Sequence, residues 1–271
     1  MKGRPSNHPV IVHIGDPGQL GRWAREVPEH ARKLAERFWP GPLTLVLRRA
    51  SGVSGDLTGD QDTIGVRVPG HPVALALLRE FGGGIAAPSA NRFGRISPTT
   101  AEHVRQDLGA DVDLVLDGGA CEIGIESTIV DVSRDNPVLL RPGRISVEDI
   151  TSALGVAPLA RDPAAPRAPG SHEAHYAPRR PLRLVPSAQW GSTLRVGSGR
   201  RGVLAFGARP RGDASVLWID APADPARYGH DLYANLRALD ASGCDEILVE
   251  EPPASPRWAA IRDRLTRARS R

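Results

Sequence analysis

Short apolar runs alternate with longer stretches of mixed polarity along the chain. VIVHI (10–14), LTLVL (43–47), TIGVRV (63–68), DLVLD (113–117), STIVDV (127–132) and PVLLR (137–141) have the length and β-branched content of strands, and glycine or proline bounds most of them. A further short apolar strand follows Gly82-Gly83-Gly84 and runs into Pro88-Ser89-Ala90-Asn91. Residues 19–38, 72–80 and 99–107 read as helices, the first broken or kinked at Pro28. Trp39-Pro40-Gly41-Pro42 reads as a turn, and Ser146 with Asp149 as a capping box opening a helix to about residue 154. Residues 156–181 lose all periodicity and become rich in Pro, Ala and Arg, which predicts a semi-extended linker. Beyond it LRLV (182–185), GVLAF (202–206), SVLWI (215–219) and EILVE (246–250) are strand runs. A helix over 226–241 places Leu232, Leu236 and Leu239 on one face, and a last helix carries Trp258, Ile261 and Leu265. Strands alternating with helices predict an α/β fold with parallel pairing. The expected organisation is a first domain over 1–155, a linker over 156–181 and a small α/β domain over 182–271.

Composition adds limits. The 271 residues hold no apolar run of about 18, so no transmembrane helix is expected. The opening MKGRPSNHPVIVHI lacks the parts of a signal peptide, and Cys121 and Cys244 are too few for a disulfide framework. A cytoplasmic location is the expectation. The formal net charge is +4, and all but two of the 35 basic residues are arginine. Arginine grips phosphate and carboxylate through a planar fork, which fits a nucleotide or RNA partner; a general compositional bias toward Arg, Ala, Gly and Pro accounts for the excess equally well. Neither Lys2 nor Lys33 sits in Gly-Lys-Ser/Thr, so any nucleotide is bound without a P-loop.

Several polar residues stand at strand ends, where open α/β sheets bind ligands. His13 and Arg67 interrupt runs that otherwise read as core; Ser89 and Asn91 follow a proline; Glu126-Ser127-Thr128 opens a strand; Arg141 closes one before Pro142-Gly143. Each has an ordinary structural reading as a half-buried histidine, an edge arginine or a turn former. His172-Glu173-Ala174-His175 has i, i+3 spacing in a proline-rich segment, which does not suit a helical zinc site.

Taken in order, KGRPSNHPVIVH, FWPGPLTLVL, DTIGVRVPGHPVALALL, AAPSAN, SPTTAEHV, LDGG, ESTIVDV and LLRPG resemble the YrdC-like family of L-threonylcarbamoyladenylate synthases. PGSHEAHYAP and LYANLRALDASGCDEILVE are similar to the linker and the small appended domain of the two-domain members. The resemblance implies a twisted YrdC-like (DHBP-synthase-like) sheet around a deep cationic cavity, followed by a Rossmann-like α/β domain. It implies that L-threonine, bicarbonate and ATP, with Mg2+, give threonylcarbamoyl-AMP and pyrophosphate. A downstream complex then uses the product for N6-threonylcarbamoyladenosine in tRNA.

By the same resemblance Lys2, Arg4, Ser89 and Asn91 are the catalytic KxR and SxN signature. Arg4, His8, Thr63, Ser89, Ser97 and Arg141 would hold ATP, and His13, Arg67, Ala87 and Ser127 would hold threonine. His175 and Tyr176 would close the site, and no protein cage for a metal is expected.

Three departures accompany the likeness. Family members carry a PTETVYGLG-like strand–helix segment ahead of KxR, so the chain is expected to lack its opening segment, with consequences for the activity of the 271-residue form. Ser171 replaces a hydrophobic Met in the linker, and His8 replaces a common Asn. Two alternatives stay open: an impaired homologue acting as a double-stranded RNA-binding module, and a related carbamoyl-transfer domain.

Overall fold

The computed structural model describes residues 3–5, 7–170, 175–196, 199–213 and 215–269. Lys2, Ser171, His172, Glu173 and Ala174, named above, lie outside the described residues. Two compact units divide the chain, Gly3–Ser89 with Glu126–Ser171 and Ala90–Ile125 with the region from His172 onward.

The first unit is built on a seven-stranded mixed sheet. Its strands are β1 (Ile11–His13), β2 (Leu43–Arg48), β3 (Thr63–Arg67), β4 (Ile85–Ala86), β5 (Thr128–Asp131), β6 (Val138–Arg141) and β7 (Leu159–Ala160), in the order β4-β1-β3-β2-β5-β6-β7. β1 runs parallel to β3, β2 is antiparallel to β3 and parallel to β5, and β6 is antiparallel to β5. The polarity pattern forms two faces, because alternate strand residues point to opposite sides. Val12, Leu43, Leu45, Leu47, Ile64 and Val66 face the helices Glu29–Phe38 and Val147–Leu154, which contribute Ala31, Leu34, Ala35, Ile150 and Leu154. The other face carries Ile11, Val46, Ile129, Val138 and Leu140, packed with Ala165 and Ala168.

Local signals explain the helix ends. Pro28 stands at the N-cap of Glu29–Phe38 and separates it from the short helix Leu20–Trp23, so the expected break is a true interruption. Ser146 Oγ accepts from the Asp149 amide at 3.0 Å, while Asp149 Oδ2 accepts from the Ser146 amide at 2.9 Å. This capping box satisfies two N–H groups that a helix start otherwise leaves open.

Residues 156–170 are less free than their composition suggests. β7 pairs parallel to β6, Arg134 reaches Asp162 at 3.1 Å, and the Gln61 side chain holds the Arg167 backbone at both its amide and its carbonyl. The segment is a strap over the second sheet face, held by polar contacts at several points.

The second unit has a four-stranded sheet, all parallel: β8 (Leu182–Val185), β9 (Arg201–Ala205), β10 (Leu217–Asp220) and β11 (Glu246–Glu250), in the order β10-β9-β11-β8. The helices Pro225–Ala241 and Ala259–Ala268 pack on one face through Leu232, Leu236, Leu239, Ile261 and Leu265. Asp224 caps the first of these helices, with Pro225 in its first turn. The helix Ser187–Val196 was not foreseen. Gly191, Ser192 and Thr193 are weak helix formers, and what holds the helix is the docking of Trp190 and Leu194 against Val185, Val203 and Leu248. Residues 90–125 belong to this unit: Ile96 is part of its core and Ile125 packs against it.

One predicted strand is corrected. DLVLD (113–117) forms no strand among the described residues, and Leu114 and Leu116 are 73% and 53% exposed. The segment is held by Thr99, whose carbonyl accepts from the Cys121 amide at 2.9 Å, and by the Arg105–Asp117 ion pair. Alternating composition is only half of a strand, since the ladder also needs a neighbour.

Candidate active site

Strand direction gathers the unusual polar residues of the first unit at two ends of its sheet. His13, Arg67 and Arg141 are the last residues of β1, β3 and β6, Thr44 lies near the start of β2, and Ser127 immediately precedes β5. The pairing directions bring all five to the same end. His13 and Arg67 are register partners, and alternation puts His13, Arg67 and Thr44 on the face opposite the helices.

This end is strongly cationic and partly dehydrated. Arg67 Nε donates to the Gly41 carbonyl at 2.9 Å. Burial, and then the charge of nearby Arg141, pull the Arg67 guanidinium down to about 10. Burial, then the Arg67 charge, push the His13 imidazole down to about 4, with a backbone hydrogen bond to Ile11 acting weakly the other way. The imidazole is therefore neutral at pH 7.

Arg141 is only 4% exposed and folds back on the chain. Its Nε and Nη2 donate to the Ser127 carbonyl at 3.1 and 2.9 Å, Nη2 also to Ser127 Oγ at 3.1 Å, and Nη1 to the Pro169 carbonyl of the strap at 2.9 Å. Ser127 Oγ lies 2.7 Å from Thr44 Oγ1. Thr128 Oγ1 bridges to Ile145, donating to its carbonyl and accepting from its amide. Gly143, in the LLRPG run, has no room for a side chain: a Cβ there would meet the Thr128 amide nitrogen and come within 2.8 Å of the Ser127 carbonyl carbon.

The other end holds Arg4, His8, Thr63 and Ser89. Thr63 begins β3, four residues from Arg67 and so roughly 13 Å away. Arg4 Nη2 donates to the His8 carbonyl at 3.4 Å and to the Pro9 carbonyl, whereas its buried Nε has no hydrogen-bond partner among the described residues. Burial lowers the Arg4 pKa. His8 is buried and bonds through its amide to the Pro5 carbonyl. Gly59 touches this loop in a left-handed conformation, φ +57°, and a Cβ there would overlap the Asn7 carbonyl. Ala87 sits between the ends, its amide bonded to the Ile11 carbonyl at 3.1 Å, and Ser89 follows it away from His13.

The residues expected to hold threonine thus cluster at one end, apart from Ala87. Those expected to hold ATP lie at the other, apart from Arg141, which sits beside Arg67, and apart from Ser97, which belongs to the second unit. In that unit Asn91 is buried, its side-chain amide donating to the carbonyls of Arg92 and Arg95, and the Ser97 carbonyl accepts from Arg237. Tyr176 has φ +64° and is 1% exposed, with its ring 5.4 Å from Tyr233 and the Arg264 guanidinium 5.5 Å over it. His175 packs edge-on against Phe93 and Tyr176, and its amide donates to the Arg267 carbonyl. A cavity of about 440 Å³ in this unit is lined by Arg92, Arg95, Arg179 and Arg237 together with Asp107 and Asp240.

Thr44 and Gly143 escaped the sequence reading. Thr44 interrupts an apolar strand as His13 does, which was the available signal, but threonine is an ordinary strand residue and does not stand out. Among the described residues no cluster of three or more His, Cys, Asp or Glu side chains could hold a metal ion.

The class of protein is set by these features: a two-unit α/β protein whose first sheet gathers buried and half-buried arginines, a neutral histidine and hydroxyls. Residues 1–143 match the Sua5/YciO/YrdC family, described as telomere recombination, and residues 145–270 match the C-terminal domain of threonylcarbamoyl-AMP synthase. The threonylcarbamoyl-AMP synthase of Pyrococcus abyssi is 37% identical over 98% of this chain and 82% of its own length. That of Bacillus subtilis is 40% identical over 98% and 81%. The crystal structure of P. abyssi Sua5 complexed with L-threonine superposes with a TM-score of 0.90 at 35% identity, covering 98% of this chain and 82% of that one. The chain belongs to the threonylcarbamoyl-AMP synthase family.

Proposed function

We propose that this chain makes L-threonylcarbamoyladenylate from L-threonine, bicarbonate and ATP, releasing pyrophosphate. The observation that carries the reading is family membership across nearly the whole chain, joined to a sheet end where Arg67, Arg141, Ser127 and neutral His13 converge. The threonine amine and bicarbonate condense to a carbamate with loss of water. A carbamate oxygen attacks the α-phosphorus, and the bond to the bridging oxygen of the β-phosphate breaks as pyrophosphate leaves. Every reactant other than the amine nitrogen is anionic or becomes so. The work of the protein is therefore to position reactants and stabilise charge, with no covalent intermediate on a side chain.

In this reading Arg67 pairs with the threonine carboxylate through its fork, beside His13, Ala87 and Ser127. Lys2, Arg4, His8, Thr63, Ser89, Asn91, Ser97 and Arg141 serve the nucleotide, and His175 and Tyr176 close the site. Two observations support the roles of Arg4 and Arg67: Arg4 keeps a buried Nε without a partner among the described residues, and Arg67 has no carboxylate partner there. Magnesium enters as Mg–ATP, held by substrate phosphates as hard cations commonly are. The product passes to a complex that modifies tRNA in the cytoplasm; no helix among the described residues is long and apolar enough to cross a membrane. The double-stranded RNA-binding alternative is not favoured, because the relatives that span the chain are named as synthases.

The test is pyrophosphate release from ATP in bicarbonate buffer, with and without L-threonine. Threonine-dependent release is expected, and release indifferent to threonine would refute the reading.

A further inference from the structure

Thr44 and Ser127 form a hydroxyl pair in which only one of the two hydrogens can lie between the two oxygens. Thr44 is fully buried in the second face of the sheet, and Ser127 is 2% exposed. Their oxygens are 2.7 Å apart, and Arg141 Nη2 donates to Ser127 Oγ at 3.1 Å. Thr44 Oγ1 has no other hydrogen-bond partner among the described residues. A hydroxyl donates one hydrogen and accepts at two lone pairs. Only one of the two hydroxyl hydrogens can be used between Thr44 and Ser127, and the other must find an acceptor outside the pair. Thr44 has no route outward, so if Ser127 were to donate inward, the Thr44 hydrogen would be stranded in the core, an arrangement that costs a buried unsatisfied donor.

We infer that Thr44 donates to Ser127 and thereby fixes the direction of the Ser127 hydroxyl. With one lone pair taken by Arg141 and the other by Thr44, Ser127 Oγ can only donate to a ligand. Thr44 is then a positioning residue that makes this corner of the site selective for an acceptor oxygen, a carboxylate or a hydroxyl oxygen, over an ammonium group. The guanidinium bond to the same oxygen strengthens the outward donor, because hydrogen bonds in a chain polarise one another. The inference rests on the reading of Ser127 as part of the threonine site and adds the residue that orients it.

The test is titration calorimetry of L-threonine, and separately of ATP, against the wild-type chain and the variants Thr44→Val, Thr44→Ser, Ser127→Ala and the Val/Ala double variant. Melting curves identify the folded variants. Thr44→Val is expected to weaken threonine roughly tenfold, the worth of one net hydrogen bond, and to leave ATP affinity unchanged. Thr44→Ser keeps the donor and is expected to stay within about threefold of wild type, well short of the loss expected on deleting the bond. In the double-mutant cycle, Thr44→Val is expected to add nothing once Ser127 is alanine, whereas a packing role would add its full loss. Equal threonine affinity in wild type and Thr44→Val, or additivity in the cycle, overturns the inference alone. A wild-type chain that binds ATP and no threonine overturns the threonine-site reading, and this inference with it.

Discussion

His13 and Arg67 face each other across the parallel β1–β3 ladder as register partners, and the arginine's charge adds to burial in holding the imidazole down to about 4. The unfolded chain has an ordinary histidine near 6.5. Above that pH both states are neutral at this position and His13 contributes nothing pH-dependent. Between about 6.5 and 4 only the unfolded chain takes up the proton, so acidification favours unfolding. The loss approaches ~3 kcal/mol at the acid end. Urea unfolding of wild type and His13→Gln at pH 7.5 and pH 4.5 isolates the effect. The stability gap between the two proteins is expected to shift in favour of the variant at the lower pH. A gap that does not change with pH would mean that His13 titrates normally in the folded state.

Arg67 is expected to separate stability from binding. It is a dehydrated cation near a second cation, with one hydrogen bond to the Gly41 carbonyl and no carboxylate partner among the described residues. Replacing a buried charge by an apolar side chain of similar volume is often neutral or stabilising. Arg67→Met is expected to melt within a few degrees of wild type or above it, while threonine affinity falls by about 100-fold with the loss of a charge-assisted pair. Differential scanning fluorimetry and calorimetry read the two quantities. A lower melting temperature with threonine binding intact would assign Arg67 to the scaffold.

The two ends of the first sheet predict a crossed result for two glycines. Alanine at Gly59 would press on the Asn7 carbonyl, beside the loop that carries Arg4 and His8. Alanine at Gly143 would press on the Ser127–Thr128 backbone. Each is expected to cost about 1–3 kcal/mol of stability by overpacking. Gly59→Ala is expected to weaken ATP more than threonine, and Gly143→Ala threonine more than ATP. Binding isotherms for both ligands on both variants check this, and parallel losses would show that the ends do not act separately.

Much of this fold is written locally. The β-branched runs at 10–14, 43–47 and 63–68, the Pro28 break and the Ser146–Asp149 box each depend on a few adjacent residues, and each is present. The failures have a common cause. DLVLD has strand composition and finds no ladder, whereas Ser187–Val196 has poor helix composition and is held by Trp190 and Leu194 on the sheet. Both outcomes depend on partners distant in sequence, which local composition does not report. His13 and Arg67 were visible because polar residues in apolar strands stand out. That they share a face and an end with Thr44, and an end with Arg141, required strand direction and register, and the ion pair that ties residue 107 to residue 237 spans 130 positions.

That last pair supplies a test of the second unit. Arg237 is 14% exposed, and its guanidinium donates to the Ile96 carbonyl at 2.7 Å, the Ser97 carbonyl at 3.2 Å and Asp107 Oδ1 at 3.2 Å. One side chain thereby joins the helix Pro225–Ala241 to the 90–125 segment. Arg237→Met would leave a carboxylate that is 13% exposed without its cation and two carbonyls without their donor. Removing one partner of such a pair costs about 3–5 kcal/mol, mostly through the charge left behind. The companion Arg237→Met/Asp107→Leu removes that charge and is expected to recover a good part of the loss. Because the pair is largely screened from solvent by the protein, the wild-type contribution is expected to persist in 1 M NaCl. Urea unfolding followed by tryptophan fluorescence measures all three. A single variant that unfolds at the wild-type midpoint, or a double variant no better than the single, would show that the 90–125 segment is held to the helix by its apolar contacts alone.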